Sequence, residues 1–207
     1  MTWLSWVVLA VFLAWFPIEA VLQSRLRGER PSGTRRDRGS LVFLFTAIGG
    51  AALLSFAVPL LGGPLDAFSY RLTAPPALAL VAVLGCAMAF RVWSIHSLGR
   101  FYRLFVHVAP GQRVVRTGPY GHVRHPLYLA TLVQVSVLNL ALVGNLAASA
   151  LFVAGVAAGL AYRIRQEEAV LTAELGAEYA DYAAVTPRLI PLPPFLRGRS
   201  PEPRPTE

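Results

Sequence analysis

The chain has 207 residues and a formal net charge of +8, and it is 55% hydrophobic but only 14% charged. Soluble domains carry about one quarter charged residues, so this composition excludes a chain solvated by water alone and leaves no room for a second, soluble core beside a membrane bundle. All 19 basic residues are Arg and lie mostly in short segments beside apolar runs, which is how membrane topology is encoded and argues against a nucleic-acid partner; the single cysteine, Cys86, sits inside an apolar run and excludes an intrachain disulfide framework or a cysteine metal cluster.

The first apolar stretch runs from Trp3 to Leu22, with Trp3, Trp6 and Trp15 suited to membrane interfaces and Glu19 near its end. A secretory signal carries its positive charge ahead of the apolar run, whereas here the arginines follow it, which predicts a retained first span. Residues 23–40 hold Arg25, Arg27, Arg30, Arg35, Arg36 and Arg38, a topology signal that puts this segment in the cytoplasm and carries no catalytic role. Further spans are predicted at Leu41–Leu61, Pro75–Ile95, Pro126–Val143 and Leu146–Tyr162, giving an all-α bundle of five transmembrane helices. The last two are joined only by Gly144-Asn145, so they form a tight antiparallel hairpin. Counting outward from the basic loop places the N-terminus outside and the C-terminus in the cytoplasm. Residues 96–125, with Arg100, Arg103, Arg113, Arg116 and Arg124, then face inward. The six prolines between Pro191 and Glu207 predict a disordered tail over residues 192–207. The expected organisation is therefore residues 1–96 as three N-terminal spans, 97–191 as the unit that carries the chemistry, and the tail.

Two segments hold polar residues that composition does not explain. In Val114–Tyr128, turn chemistry at Gly118-Pro119 and Gly121 leads to His125-Pro126. Pro suits the first helical turn, so the fourth span is predicted to start there with His125 at its cap. His125 and Tyr128 are three apart and face one side of the helix start, where unpaired N–H groups and the helix dipole favour a ligand carboxylate. A plain interfacial His and Tyr anchor is the competing reading. The second segment, Tyr162–Tyr182, is expected to continue the fifth span as a helix. It contains Arg163, Arg165 and the adjacent Glu167-Glu168, which point about 100 degrees apart. Two carboxylates near a bilayer must each find water, a cation or a ligand. One can take Arg163 or Arg165 while the other meets a ligand ammonium or ribose hydroxyl. Surface pairing of Arg163 with Glu167 at i, i+4 is the bland alternative.

Taken in order, Gly118-Pro119-Tyr120, Arg124-His125-Pro126-Leu127-Tyr128, Arg163-Ile164-Arg165-Gln166-Glu167-Glu168, Gly176-Ala177-Glu178-Tyr179, Tyr182 and Arg188-Leu189-Ile190-Pro191 resemble the isoprenylcysteine carboxyl methyltransferase family, to which phospholipid N-methyltransferases are related. The resemblance covers about Ser97 to Pro191, and the first two spans add no motif to it. It implies a helical membrane enzyme that encloses S-adenosylmethionine and takes a lipid-like acceptor from the bilayer, without a metal. Tyr120, Arg124, His125, Tyr128 and Glu168 are the implied cofactor-binding residues, and Arg163 and Glu167 the implied catalytic ones. A guanidinium fork suits orientation of an acceptor carboxylate, which is already ionised and needs no general base. No strand followed by a glycine-rich turn and helix is present, so the soluble dinucleotide-type fold is disfavoured. A Lys-free, Arg-rich chain fits a bacterial inner membrane with the site facing the cytoplasm. Competing readings are amine N-methylation, an NADPH-dependent reductase of the sterol reductase type, and a non-catalytic membrane protein.

Overall fold

The computed structural model describes residues 2–26, 39–102 and 113–190; most of the basic segment, Arg103 and the proline-rich tail lie outside them. Six α-helices follow in chain order: α1 (Trp3–Leu26), α2 (Ser40–Leu61), α3 (Ala74–Leu98), α4 (Pro126–Val143), α5 (Leu146–Leu175) and α6 (Ala177–Val185). No strand occurs among the described residues, and five of the helices are long and apolar enough to cross a membrane. The protein is therefore an all-α integral membrane bundle.

Each predicted span is a helix. The fourth has the predicted bounds, with His125 at its cap, while the fifth runs on to Leu175. The continuation does not extend unbroken to Tyr182. Gly176 ends α5, its N–H returning to Thr172 O at 3.0 Å, and the chain restarts as α6. Trp3 and Trp6 lie exposed as expected of interface anchors, whereas Trp15 is buried, with its Nε1 donating to Glu19 Oε2 at 2.7 Å.

The spanning parts of α1 to α5 are apolar on nearly every side, as lipid-embedded elements are. Side chains such as Phe43, Leu53, Leu54, Leu60 and Leu61 remain exposed on α2. Packing is selective nonetheless. Around Val8, Leu84 and Val137, helices α1, α3 and α4 share one core, and α2 and α5 share another around Leu44, Phe152, Val156 and Leu160. Helix α4 touches α1, α2, α3 and α5, whereas α1 and α2 have no extensive contact with each other. Among the described residues this leaves a lateral cleft between α1 and α2 over α4, lined by Phe16, Phe45 and Val135.

Between α2 and α5 the backbones approach closely because Gly155 and Gly159 face Ala51 and Ala47; a Cβ on either glycine would stand 2.8 Å from the opposing alanine Cβ. Small residues permit such approach where lipid offers no hydrophobic drive for association. At the hairpin end, Gly144 closes α4 in the left-handed region at φ 68, and Asn145 ties the turn together. Its Oδ1 accepts from Ala148 N at 2.9 Å, and its Nδ2 donates to Leu65 O at 2.9 Å and Ser69 Oγ at 3.0 Å. Tyr70 reinforces the same end, with N to Gly144 O at 2.8 Å and its hydroxyl to Leu140 O.

Gly159→Ala is expected to destabilise the bundle by about 1–3 kcal/mol, because the backbone pair must separate. Gly85→Ala, where a Cβ meets nothing within 4 Å, is expected to be neutral or stabilising by up to about 1 kcal/mol. Thermal unfolding of both variants in detergent checks the pair; equal melting temperatures would disprove the close-approach account.

Candidate active site

A cavity of about 600 Å³ occupies the half of the bundle opposite the Gly144-Asn145 turn, within the size range of small-molecule sites. Its walls come from α1 between Phe12 and Ala20, α2 between Leu41 and Ile48, α4 between Pro126 and Val135, and α5 between Arg163 and Leu175; Tyr179 and Tyr182 of α6 close one end. The cavity runs past a polar tier into an apolar pocket walled by Phe12, Leu44, Ile48 and Val135.

The two adjacent carboxylates serve different networks, as their angular separation on α5 requires. Glu168 Oε1 accepts from Arg124 Nε at 3.0 Å, Arg124 Nη2 at 2.8 Å and His125 Nε2 at 3.1 Å, and its Oε2 accepts from Arg188 Nε at 2.9 Å. Arg124 Nη1 continues to the carbonyls of Ala183 and Thr186 at 2.5 and 2.7 Å, satisfying the end of α6. Backbone bonds from Arg124 N to Pro187 O and from His125 N to Arg188 O, at 2.8 and 3.0 Å, fix the two segments side by side. Glu168 is thus a knot that holds the start of α4 and the end of α6 against α5.

Glu167 points into the cavity instead and accepts from the Tyr128 hydroxyl at 2.5 Å. That hydroxyl accepts from Arg163 Nε at 3.1 Å, while Arg163 Nη1 donates to Ser40 Oγ at the start of α2. Arg163 is only 2% exposed, so the surface-pair reading of this residue is overturned. It is a buried cation in a chain of bonds from α2 through α4 to α5. His125 and Tyr128 stack, with ring centroids 5.7 Å apart, and both line the cavity.

Of the seven residues singled out from sequence, Tyr120, His125, Tyr128, Arg163 and Glu167 line the cavity. Arg124 and Glu168 do not; their bonding capacity goes into the knot behind the wall. The second glutamate takes neither Arg163 nor Arg165, as the sequence reading allowed, but Arg124, His125 and Arg188.

A further cluster escaped the sequence reading. Arg91 of α3 bonds Glu19 of α1 through Nε at 3.1 Å and Nη2 at 2.6 Å, and its Nη1 reaches Leu127 O at 3.2 Å and Thr131 Oγ1 at 2.9 Å on α4. The Tyr102 hydroxyl adds a longer contact to Glu19 at 3.4 Å. All but the backbone acceptor were visible as polar residues, and two opposite charges inside separate apolar spans are themselves a functional signal. Their separation of 72 residues hid the pairing.

Tyr120 and Tyr179 also line the cavity, and their hydroxyls are buried without a hydrogen-bond partner among the described residues. Burial pushes the pKa of both well above the usual tyrosine value. Tyr182, pushed up to about 12 mainly by burial, donates to Tyr120 O at 2.7 Å. These phenols therefore stay protonated at any working pH and present O–H donors. Two such unused donors beside the Glu167 carboxylate fit a zwitterionic, hydroxyl-bearing ligand such as S-adenosylmethionine.

Glu168→Gln is expected to release the start of α4 and α6 without disturbing the spans, because it removes the charge shared by Arg124 and Arg188. Amide hydrogen exchange over residues 177–185 should rise at least about tenfold, with α2–α5 packing unaffected. Unchanged exchange there would mean the knot does not hold α6.

Residues 78–173 match the model of the Isoprenylcysteine carboxyl methyltransferase (ICMT) family. Among curated proteins, the chain is 31% identical over 94 residues to the uncharacterized protein YpbQ of Bacillus subtilis, covering 45% of this chain and 55% of that one. It is 30% identical over 126 residues to the cobalt-zinc-cadmium resistance protein CzcN of Cupriavidus metallidurans, covering 60% and 54% respectively. The chain spans about half the length of the curated relatives it matches. The family match begins in α3 and ends within α5, so it includes Tyr120, Arg124, His125, Tyr128, Arg163, Glu167 and Glu168 but neither α1 and α2 nor α6. Over residues 78–173 this integral membrane protein is thus similar to the isoprenylcysteine carboxyl methyltransferase family.

Proposed function

We propose that the protein is an S-adenosylmethionine-dependent methyltransferase that methylates a carboxyl group on a lipid-like acceptor drawn from the bilayer. The observation that carries this reading is the buried Arg163–Tyr128–Glu167 chain in the wall of a cavity that is polar at one end and apolar at the other. S-adenosylmethionine, when bound, supplies a methyl group already activated by its sulfonium. The protein's task is then to hold the acceptor in line and keep water out, with no metal or general base needed for a carboxylate.

The cofactor's hydroxyls and charged groups suit Tyr120, Tyr179, His125 and Glu167 at the polar end. Arg124 and Glu168 act through His125 and α6 rather than by touching it. Arg163 orients the acceptor carboxylate, and Tyr128 couples it to Glu167. A buried cation favours an anionic acceptor over an amine, which supports O-methylation above N-methylation. The cleft between α1 and α2 is the acceptor's route from the membrane. In this division of labour residues 97–191 carry the donor chemistry, and the spans within 1–96 shape the acceptor end. The arginine bias beside the spans supports a cytoplasmic site with the N-terminus outside, in a bacterial inner membrane.

Calorimetry on the detergent-purified protein is expected to give saturable S-adenosylmethionine binding and none for NADPH, with affinity reduced about tenfold in Glu167→Gln, a loss of about 1.4 kcal/mol. Arg163→Lys should retain cofactor binding but lower methyl transfer to a membrane lipid extract by about 100-fold or more. Binding of NADPH alone would shift the assignment to a reductase. Binding of neither, by folded protein, would leave a non-catalytic membrane protein.

A further inference from the structure

A polar side chain in the cavity wall stands outside all three charge networks. Gln134 lies on the face of α4 that carries Leu127, Tyr128, Thr131 and Val135 into the cavity wall, the i, i+3, i+4, i+7 spacing of a single helical face. It is 4% exposed, and its Nε2 is buried without a hydrogen-bond partner among the described residues. Six residues beyond Tyr128, it stands about 9 Å further along the helix axis, at the middle of the 18-residue span. The cavity there is otherwise apolar, walled by Phe12, Leu44, Ile48 and Val135.

The other buried amide of α4 uses its N–H for packing, although its Oδ1 has no partner among the described residues. Asn139, also on α4, sends its Nδ2 across to Ser55 Oγ on α2 at 2.8 Å, the interhelical bond expected of an amide within a membrane. Gln134 faces the cavity instead, and leaving its N–H donors unpaired at this depth costs about 1–3 kcal/mol. A ligand oxygen reaching that level removes the cost, whereas a plain hydrocarbon chain would seal it in. A site built to hydrogen-bond a substrate group discriminates against the analogue that lacks it far better than an apolar pocket can.

We propose that Gln134 is a specificity-determining residue that donates to an oxygen carried within the apolar body of the acceptor, about 9 Å along the α4 axis from the level of Tyr128. The preferred acceptor is accordingly an amphiphile oxygenated along its chain, with a hydroxyl, carbonyl or ether at that level, and not a simple long-chain acid. This inference rests on the methyltransferase reading above and adds the substrate class to it.

The test uses the full-length protein in detergent, saturated with S-adenosylmethionine, and two probes: dodecanoate and its mid-chain hydroxy counterpart. Calorimetry is expected to show the hydroxy acid binding the unmodified protein at least about tenfold more tightly than dodecanoate. Gln134→Leu should erase that preference while leaving cofactor binding unchanged, and should raise the melting temperature because the unpaired amide is gone. Gln134→Met, of similar length and flexibility, provides the second variant should leucine pack poorly. Equal affinity of the unmodified protein for both acids, no binding of either acid, or a preference that survives both substitutions would overturn the role of Gln134 while leaving the cofactor reading intact. Failure to bind S-adenosylmethionine at all would bring down both.

Discussion

A charge inside a bilayer-spanning bundle is tolerated only with a partner, and this protein places several charges where its helices are otherwise apolar. Arg163 is held by Tyr128 and Ser40, and Arg91 by Glu19 and the start of α4. Each network joins helices that apolar contact alone would leave free to slide. The Arg91 network ties α1 to α3 and α4; the Arg163 network ties α2 and α5 to α4. Because α4 belongs to both, the two halves of the bundle share one central strut, and the cavity lies along it. The same bonds that make the charges tolerable therefore fix the geometry of the wall.

The ends of the bundle are secured by different means. At the Gly144-Asn145 turn the ties are neutral hydrogen bonds from Asn145 and Tyr70 to backbone and hydroxyl groups. At the other end they are ionic, gathered on Glu168 and Glu19. Neutral ties hold the hairpin end without any group that a charged ligand could compete for. Ionic ties lie where charged ligands are expected, and those on Glu168 sit behind the wall, out of a ligand's direct reach.

Much of the fold is legible in the chain because a span of 18 or more apolar residues has few alternatives to a membrane helix. His125-Pro126 and Gly144-Asn145 mark the ends of α4 through the chemistry of proline and glycine alone. The break at Gly176 was not read, since residues 162–182 keep a helical pattern on both sides of it. Within the site, His125, Tyr128, Arg163 and Glu167 could be found because they lie in two short segments with ordered motifs. Glu19, Arg91 and Gln134 could not be assigned that way: each is a lone polar residue in an apolar run, and only the packing of α1, α3 and α4 brings them to one cavity. The distinct duties of Glu167 and Glu168 were partly legible from their separation by 100 degrees. Which of them faces the ligand depends on where Arg124 and Arg188 arrive in space.

The cleft between α1 and α2 has a consequence for what counts as the complete binding site. Phe16 and Phe45, both cavity-lining, are also more than half exposed, so among the described residues the outer edge of the apolar pocket has little behind it. In a membrane that missing wall is made of acyl chains. The shape and order of the surrounding lipid thereby become part of the enclosure, and the same polypeptide presents a different pocket in a fluid, thin bilayer than in a stiff, thick one.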